Sequence, residues 1–329
     1  MMKIITSFKI CTFFILIISA VLMQVGTTLA QTFPTRAIRI IIPFPASGPS
    51  DFTARVMTSR LPELLGHPVI FDNRSGAAGG IGAEIVATSV PDGYTLLIAN
   101  VGMLCIAPHL GKVPYNPFKD FMPIPNLVGT PQWLVIHPSV PARTVKELIA
   151  LARSKPGSLS FGSAGIGQQS HLSGELFNNV TGVNILHVPY KGAAPAVTDL
   201  ISGQIEMVFT SSIENLQFAK TGRLRILAIT TRNRSSVTPE IPTMAEAGVN
   251  DFEITSWNGI LAPSGVPKEN IARLNRDFVR AIQSPDVKER VTAQGKFVIG
   301  NTTEEFTTYI RNESDRWASV VKKMGVKQQ

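Results

Sequence analysis

Ile38-Arg39-Ile40-Ile41-Ile42-Pro43-Phe44-Pro45-Ala46-Ser47-Gly48-Pro49-Ser50-Asp51 is the stretch that decides the fold class. Its first half is a short apolar run closed by proline, the mark of a strand buried on both faces. Its second half is a loop of small residues and hydroxyls, and the helical pattern after it is expected to take Ser50 or Asp51 as its N-cap. A buried strand, a small-residue loop and a helix in that order open a βα unit.

The same alternation continues outward. Residues 69–72 and 95–99 read as two more buried strands, with a helix over 81–88 between them after a glycine-rich turn, and Pro62 is expected to kink the end of the first helix. Residues 113–125 hold four prolines among thirteen residues without a clean period, which reads as a connection into a second lobe. There, strands are expected at 133–136, 159–162, 185–188, 205–209 and 224–230, each followed by a helix; Thr144 with Glu147 makes a capping box for one of them. After a further strand at 257–262 the chain turns mostly helical. Ile271, Leu274, Phe278 and Ile282 share one helical face, Thr302 and Glu305 form a second capping box, and Phe306, Ile310, Trp317 and Met324 line the last helix. If these helices return to the first lobe, the chain crosses twice between two halves that hinge about a cleft.

The first thirty residues stand apart. Lys3 and Lys9 precede an apolar run over 10–23 that ends in Thr28-Leu29-Ala30, the pattern of a secretory signal cut after Ala30. Removing Lys3 and Lys9 takes the net charge from +8 to +6, and of the two cysteines only Cys105 remains, so no internal disulfide is expected. With Gln31 and not a cysteine directly after the cut, a lipid anchor is not expected either. The remaining 299 residues suit two domains of ordinary size. Basic residues such as Arg143, Lys155, Arg223, Arg273 and Lys322 are scattered among acids without a dense run, which excludes a nucleic-acid footprint and leaves a mild attraction for anions.

Three loops come after predicted strands at the edge where open α/β sheets bind ligands. In the first, 43–51, small residues allow close approach to the backbone and the helix start offers N–H groups to a carboxylate; Asp51 either caps that helix or accepts from the ligand. The second, Phe161-Gly162-Ser163-Ala164-Gly165-Ile166-Gly167-Gln168-Gln169-Ser170-His171, has its glycines in the wrong order for a dinucleotide fingerprint. It also lacks the first glycine of a nucleophile elbow, so Ser163 is a poor nucleophile and no catalytic residue is expected. The third is His187-Val188-Pro189-Tyr190-Lys191-Gly192, where Tyr190 either walls a pocket or stands idle. His67, His109, His137, His171 and His187 read as isolated, so no metal is expected, and residues 72–80 lack the Gly-Lys-Ser/Thr ending of a phosphate loop. No cofactor is expected.

Residues 44–51 are similar to F-P-A-G-G-x-x-D, 73–80 to N-R-x-G-A-G-G, and 162–177 to G-S-x-G-x-G-x-x-x-H-L-x-x-E-x-F; Pro91-Asp92-Gly93-Tyr94-Thr95-Leu96-Leu97, 187–192 and 257–263 complete six ordered motifs. On these the chain resembles the tripartite tricarboxylate transporter receptors, the Bug family of periplasmic binding proteins. The resemblance implies an α/β, type II periplasmic-binding-protein (Venus flytrap) fold, with lobe I over 31–126 and 255–329, lobe II over 127–254, and crossings near 120–127 and 250–256. It implies a monomeric periplasmic receptor, not an enzyme, that captures a small carboxylate in part through bridging waters. The ligand then passes to membrane permease subunits or, alternatively, the receptor signals to a sensor kinase; an exported hydrolase is the enzyme alternative. Phe44, Ala46, Gly48 and Asp51 would act from one lobe and Ser163, Ala164, Ser170 and His171 from the other, which moves Asp51 towards a ligand contact. Pro45, Ser47, Ser50, Asn100, Gly165, Tyr190, Gly192 and Ser211 complete the expected ligand-binding set. Ser47 departs from the family's glycine and Ser75 from its proline, while the apolar stretch 100–104 points to an aromatic or branched carboxylate bound more tightly than citrate.

Overall fold

The computed structural model describes residues 33–324 apart from 47, 212 and 251. The predicted signal peptide, the role given to Ser47 and the place given to the Met324 side chain lie outside the described residues. The chain divides into two units, Met1–Thr35 and Arg36–Gln329, and the described strands and helices all belong to the second.

Its elements begin with β1 (Ile38–Ile42), α1 (Pro49–Arg55), α2 (Leu61–Leu65), β2 (Val69–Asn73), α3 (Gly80–Ala87) and β3 (Thr95–Asn100). A π-helical turn, Gly102–Ile106, runs into the short α4 (Ala107–Leu110) and then β4 (Phe121–Pro131). Next come β5 (Trp133–Ile136), α5 (Val145–Ser154), β6 (Ser160–Ser163), α6 (Gln169–Thr181), β7 (Leu186–Pro189), α7 (Ala193–Ser202), β8 (Met207–Thr210), α8 (Asn215–Lys220) and β9 (Arg225–Ile229). The last elements are β10 (Thr255–Pro263), α9 (Lys268–Ile282), α10 (Pro285–Ala293), β11 (Phe297–Val298) and α11 (Thr303–Met324).

The strands form two sheets. The first runs β11-β4-β10-β3-β1-β2 and the second β7-β6-β8-β5-β9. In the first, β1 lies parallel to both β2 and β3, and Ile38, Ile40, Ile41 and Ile42 are fully buried, as an interior strand with both faces covered requires. β10 returns antiparallel between β3 and β4. One continuous core joins residues beneath both sheets, among them Leu97, Leu134, Phe161, Phe209, Trp257 and Phe306. A second core around Trp133, Leu200, Val208 and Ile229 covers the other face of the second sheet. Ile271, Leu274, Phe278 and Ile282 on α9, and Phe306, Ile310 and Trp317 on α11, are all buried.

The second capping box forms in full, and the first forms in half, the Glu147 carboxylate accepting from the Arg143 N–H one residue early. The Thr144 hydroxyl accepts from the Glu147 N–H at 3.2 Å, and in the second box Glu305 N–H donates to Thr302 Oγ1 at 3.2 Å while Thr302 N–H donates to the Glu305 carboxylate at 2.9 Å.

Several expectations are corrected. Gly48, not Ser50 or Asp51, is the N-cap of α1, because Pro49 has no N–H to lose and its fixed φ starts the helix sooner. Pro62 does not kink α1; it sits in the first turn of the separate α2. Residues 121–125 are not a connection but the start of β4, an eleven-residue strand whose pairing with β10 continues to Pro131 opposite Thr255. Its prolines hide it from a periodicity reading. They are tolerated because β11 pairs with β4 only at Val128 and Gly129, which leaves the other edge at Pro123 and Pro125 open, and because the ladder with β10 is irregular between Gly259 and Leu261, opposite Pro125. The passage to the second sheet therefore falls at Gln132. The apolar stretch 100–104 leaves β3 in helical form: Asn100 Oδ1 accepts from the Met103 N–H at 3.0 Å at the start of the π-helical turn.

Thr230 ties the outgoing and returning segments together. Its hydroxyl accepts from the Gln132 N–H at 3.0 Å and donates to the Ile254 carbonyl at 2.6 Å. Its backbone donates to the Gln132 carbonyl and accepts from the Ile254 N–H, each at 2.9 Å.

Candidate functional site

Between the carboxyl ends of the strands of the two sheets lies a cleft with a volume of about 1040 Å³. The first-sheet side supplies Phe44, Pro45, Gly48, Ser50 and Phe52, the turn from Asn100 to Leu110, Ser256, Trp257, Asn258 and Lys296. The second-sheet side supplies Ala164, Gly167, Gln169, Ser170, Phe209, Ser211 and Glu214, and Thr130 and Gln132 lie at the crossing between them.

The first loop is held from behind. Asn73 Nδ2 donates to the Phe44 carbonyl at 3.1 Å and to Asp51 Oδ1 at 3.0 Å, and Arg55 Nε donates to the same carboxylate oxygen at 2.8 Å. Asp51 is buried and does not line the cleft; it braces α1 against β2. Ala46 is exposed and likewise away from the cleft wall. Ser50 faces Asn258, whose Nδ2 donates to the Ser50 hydroxyl at 2.8 Å.

The second loop is rigid for a local reason: its own side chains take up its backbone donors. Ala164 N–H donates to Ser170 Oγ at 2.9 Å, Gly165 N–H to Ser163 Oγ at 3.1 Å and Gly167 N–H to His171 Nδ1 at 3.0 Å. Gly165 and Gly167 adopt φ of +130° and +76°, which lets the chain fold back on itself. Ser163 and His171 are buried beneath this loop, and Ser163, Gly165 and His171 are absent from the cleft wall. Tyr190 points away too, its hydroxyl donating to Asp199 at 2.8 Å, and Gly192 uses its N–H on the Ala164 carbonyl at 3.2 Å. Of the expected set, the cleft thus brings together Phe44, Pro45, Gly48, Ser50, Asn100, Ala164, Ser170 and Ser211, while Ala46, Asp51, Ser163, Gly165, His171, Tyr190 and Gly192 stand behind or beside it.

His171 and His187 are not isolated. Their rings stack with centroids 3.9 Å apart, Glu175 lies one turn along α6 with an oxygen 3.8 Å from His171 Nε2, and His187 Nε2 is 2.6 Å from Ser163 Oγ. The fold makes this cluster by laying β7 beside β6. The three ligand groups converge within 4.8 Å. Imidazole lone pairs lie in the ring plane, so two face-to-face rings aim poorly at one ion, and one nitrogen of each is already in a hydrogen bond. Burial pushes both imidazoles down, His187 from 6.5 to about 4 with the neighbouring His171 adding to the effect, so both are neutral at neutral pH. The two neutral imidazoles prop the second loop.

Residues that sequence reading missed carry most of the cleft's polarity. Trp257 Nε1 and Gln169 Nε2 are buried donors with no acceptor among the described residues. The hydroxyl of Ser256 donates to Gln169 Oε1, which joins β10 to the start of α6 across the cleft floor. Lys296 Nζ donates to Thr130 Oγ1 at 3.1 Å, and burial pushes its pKa down to about 8. Trp257 was within reach, since it opens the motif 257–263; nothing local marks Lys296 or Gln132. Phe44, Phe52, Met103, Ile106, Leu110 and Phe209 make the rest of the wall apolar.

A pair of α/β layers with a donor-rich cleft between their strand ends defines a solute-binding protein of the type II, two-lobed class. Comparison with known proteins narrows this. The chain belongs to the tripartite tricarboxylate transporter family of receptors, whose family model matches residues 53–326. It is 39% identical to Protein BugT of Bordetella pertussis (strain Tohama I) over 308 residues, which cover 91% of this chain and 92% of that protein. Among solved structures, Rpa4515 of Rhodopseudomonas palustris with adipate is 34% identical with a TM-score of 0.75, covering 90% of this chain and 99% of the other. MatC of the same organism with bound malate is 31% identical with a TM-score of 0.72, covering 88% and 100%. Receptors of this family are periplasmic solute-binding proteins of small carboxylates and not enzymes.

Proposed function

We propose that this receptor captures a small carboxylate between its two lobes and hands it, in the closed form, to the permease subunits of a tripartite tricarboxylate transporter. The single observation that carries the reading is the polarity of the cleft. Its walls carry hydroxyl and amide groups at Ser50, Asn100, Gln132, Ser170, Ser211 and Asn258, and Glu214 is the one carboxylate on the cleft wall among the described residues. A wall of hydroxyls and amides with a single carboxylate suits a ligand that brings the negative charge.

On this reading lobe I comprises the first sheet with its helices and lobe II the second, divided at Gln132 and again before β10. Phe44, Pro45, Gly48, Ser50, Asn100, Ala164, Ser170 and Ser211 contact the ligand directly or through water. Asp51, Ser163, His171, Tyr190 and Gly192 act by holding the two loops in place. The apolar wall favours an aromatic or branched carboxylate over citrate. The chain is exported, cut after Ala30 and works as a monomer. Ligand stabilises the closed form by binding it more tightly than the open one.

Native mass spectrometry of protein purified from its own periplasm tests this. A bound carboxylic acid, and a mature chain starting at Gln31, are the expected results. Protein that carries no acid and gains no thermal stability from any acid in a broad carboxylate screen overturns the proposal.

A further inference from the structure

Lys296 stands on the loop between α10 and β11, and its ammonium reaches the cleft wall over the Phe52 ring, 6.0 Å from the centroid. Arg39 sits on Asp72, Arg55 on Asp51, Arg273 on Asp277 and Arg316 on Glu313, while half-buried Arg225 is satisfied by the Val140 and Ala142 carbonyls. Lys296 has only the Thr130 hydroxyl and makes no ion pair among the described residues. A partly desolvated ammonium without a counter-ion is costly, and Phe52 and Thr130 supply only part of what water would. Lys296 lines the cleft, so an anion held there can reach its ammonium. Phe52 lies two residues after Ser50, so the ammonium is adjacent to the helix that carries the first binding loop.

We propose that Lys296 contacts a second anionic group of the ligand, so that the receptor selects dianions over monoanions of the same chain length. This rests on the carboxylate-receptor reading above. The first carboxylate lies against the two loops and the second meets Lys296, with the apolar wall along the carbon chain between them. Glu214 is exposed on the cleft wall beside Ile213, which lies against Gly295, and is the competing partner: a Lys296–Glu214 pair would use up the same charge.

Calorimetric titration with adipate and hexanoate, which differ by one carboxylate at equal carbon count, decides between these. The wild type is expected to bind adipate more tightly than hexanoate. Lys296→Gln should weaken adipate by about 10- to 100-fold, the range for a hydrogen bond to a charged group, and leave hexanoate unchanged. Lys296→Arg should keep the preference for adipate. Lys296→Gln should melt no lower than the wild type without ligand, which separates lost recognition from lost folding. An equal effect of Lys296→Gln on both acids, or no preference for adipate in the wild type, overturns the role of Lys296 and leaves the carboxylate reading standing. Glu214→Gln reproducing the loss also overturns it, in favour of the Lys296–Glu214 pair. A wild type that binds neither adipate nor hexanoate nor any other acid, aromatic and branched ones included, in the broad carboxylate screen overturns both.

Discussion

Thr230→Val tests whether the clasp between the two crossing segments is as important as its geometry indicates. Valine has the shape of threonine, so packing at this fully buried position is kept and only the hydroxyl is lost. Two bonds go with it, the 3.0 Å bond from Gln132 N–H and the 2.6 Å bond to the Ile254 carbonyl. Each leaves a buried backbone group without that partner, at about 1–3 kcal/mol apiece, so the variant should lose roughly 2–6 kcal/mol. Thr230→Ser keeps the hydroxyl and removes one methyl, which costs only about 1 kcal/mol. Urea denaturation monitored by fluorescence and circular dichroism measures both, and the order Ser above Val in midpoint is the expected result. Equal stability of Thr230→Val and wild type, or a serine variant weaker than the valine one, would refute the reasoning.

Two further outcomes come from packing and charge. A Cβ on Gly259 would stand 2.3 Å from Phe306 Cζ and 2.9 Å from the Pro125 carbonyl, one a buried ring and the other backbone. Gly259→Ala should therefore destabilise by about 1–3 kcal/mol and weaken ligand binding, since Phe306 packs edge-on to the cleft residue Trp257; a thermal melt no lower than wild type contradicts this. For His187, the folded chain refuses until about pH 4 a proton that the unfolded chain takes near 6.5, so its contribution is whole above 6.5 and is lost as pH falls towards 4. Water screens this half-buried ring in part, so the loss is on the order of 1–3 kcal/mol. His187→Gln should show a shallower fall in urea midpoint between about pH 7 and pH 4.5; an unchanged slope would remove His187 as its source.

The order of elements was legible because strands and helices have different hydrophobic periods. The strand expected at 133–136 matches β5 residue for residue, and the apolar faces of α9 and α11 are buried as their spacing predicts. β4 was not legible, because proline breaks the period and only the one-sided, irregular pairing of its first half explains why it is tolerated. The glycine-bearing loops were legible as backbone chemistry, but not which of their side chains reach the cleft. Ser163, His171 and Asp51 are polar residues in a loop or at a helix start, and in sequence they look the same whether they face a ligand or hold the backbone that does.

Local composition determined the αβ alternation, the two capping boxes and the two glycine-bearing loops, because each depends on residues within a turn or two of one another. Tertiary structure alone decided the cleft's chemistry. Lys296, Trp257, Gln169 and Thr130 come from four distant segments, and Thr230 joins Gln132, 98 positions before it, to Ile254, 24 positions after it. Whether a side chain lacks a partner depends on what the rest of the chain brings within about 3 Å of it, and no local pattern of residues encodes that distance.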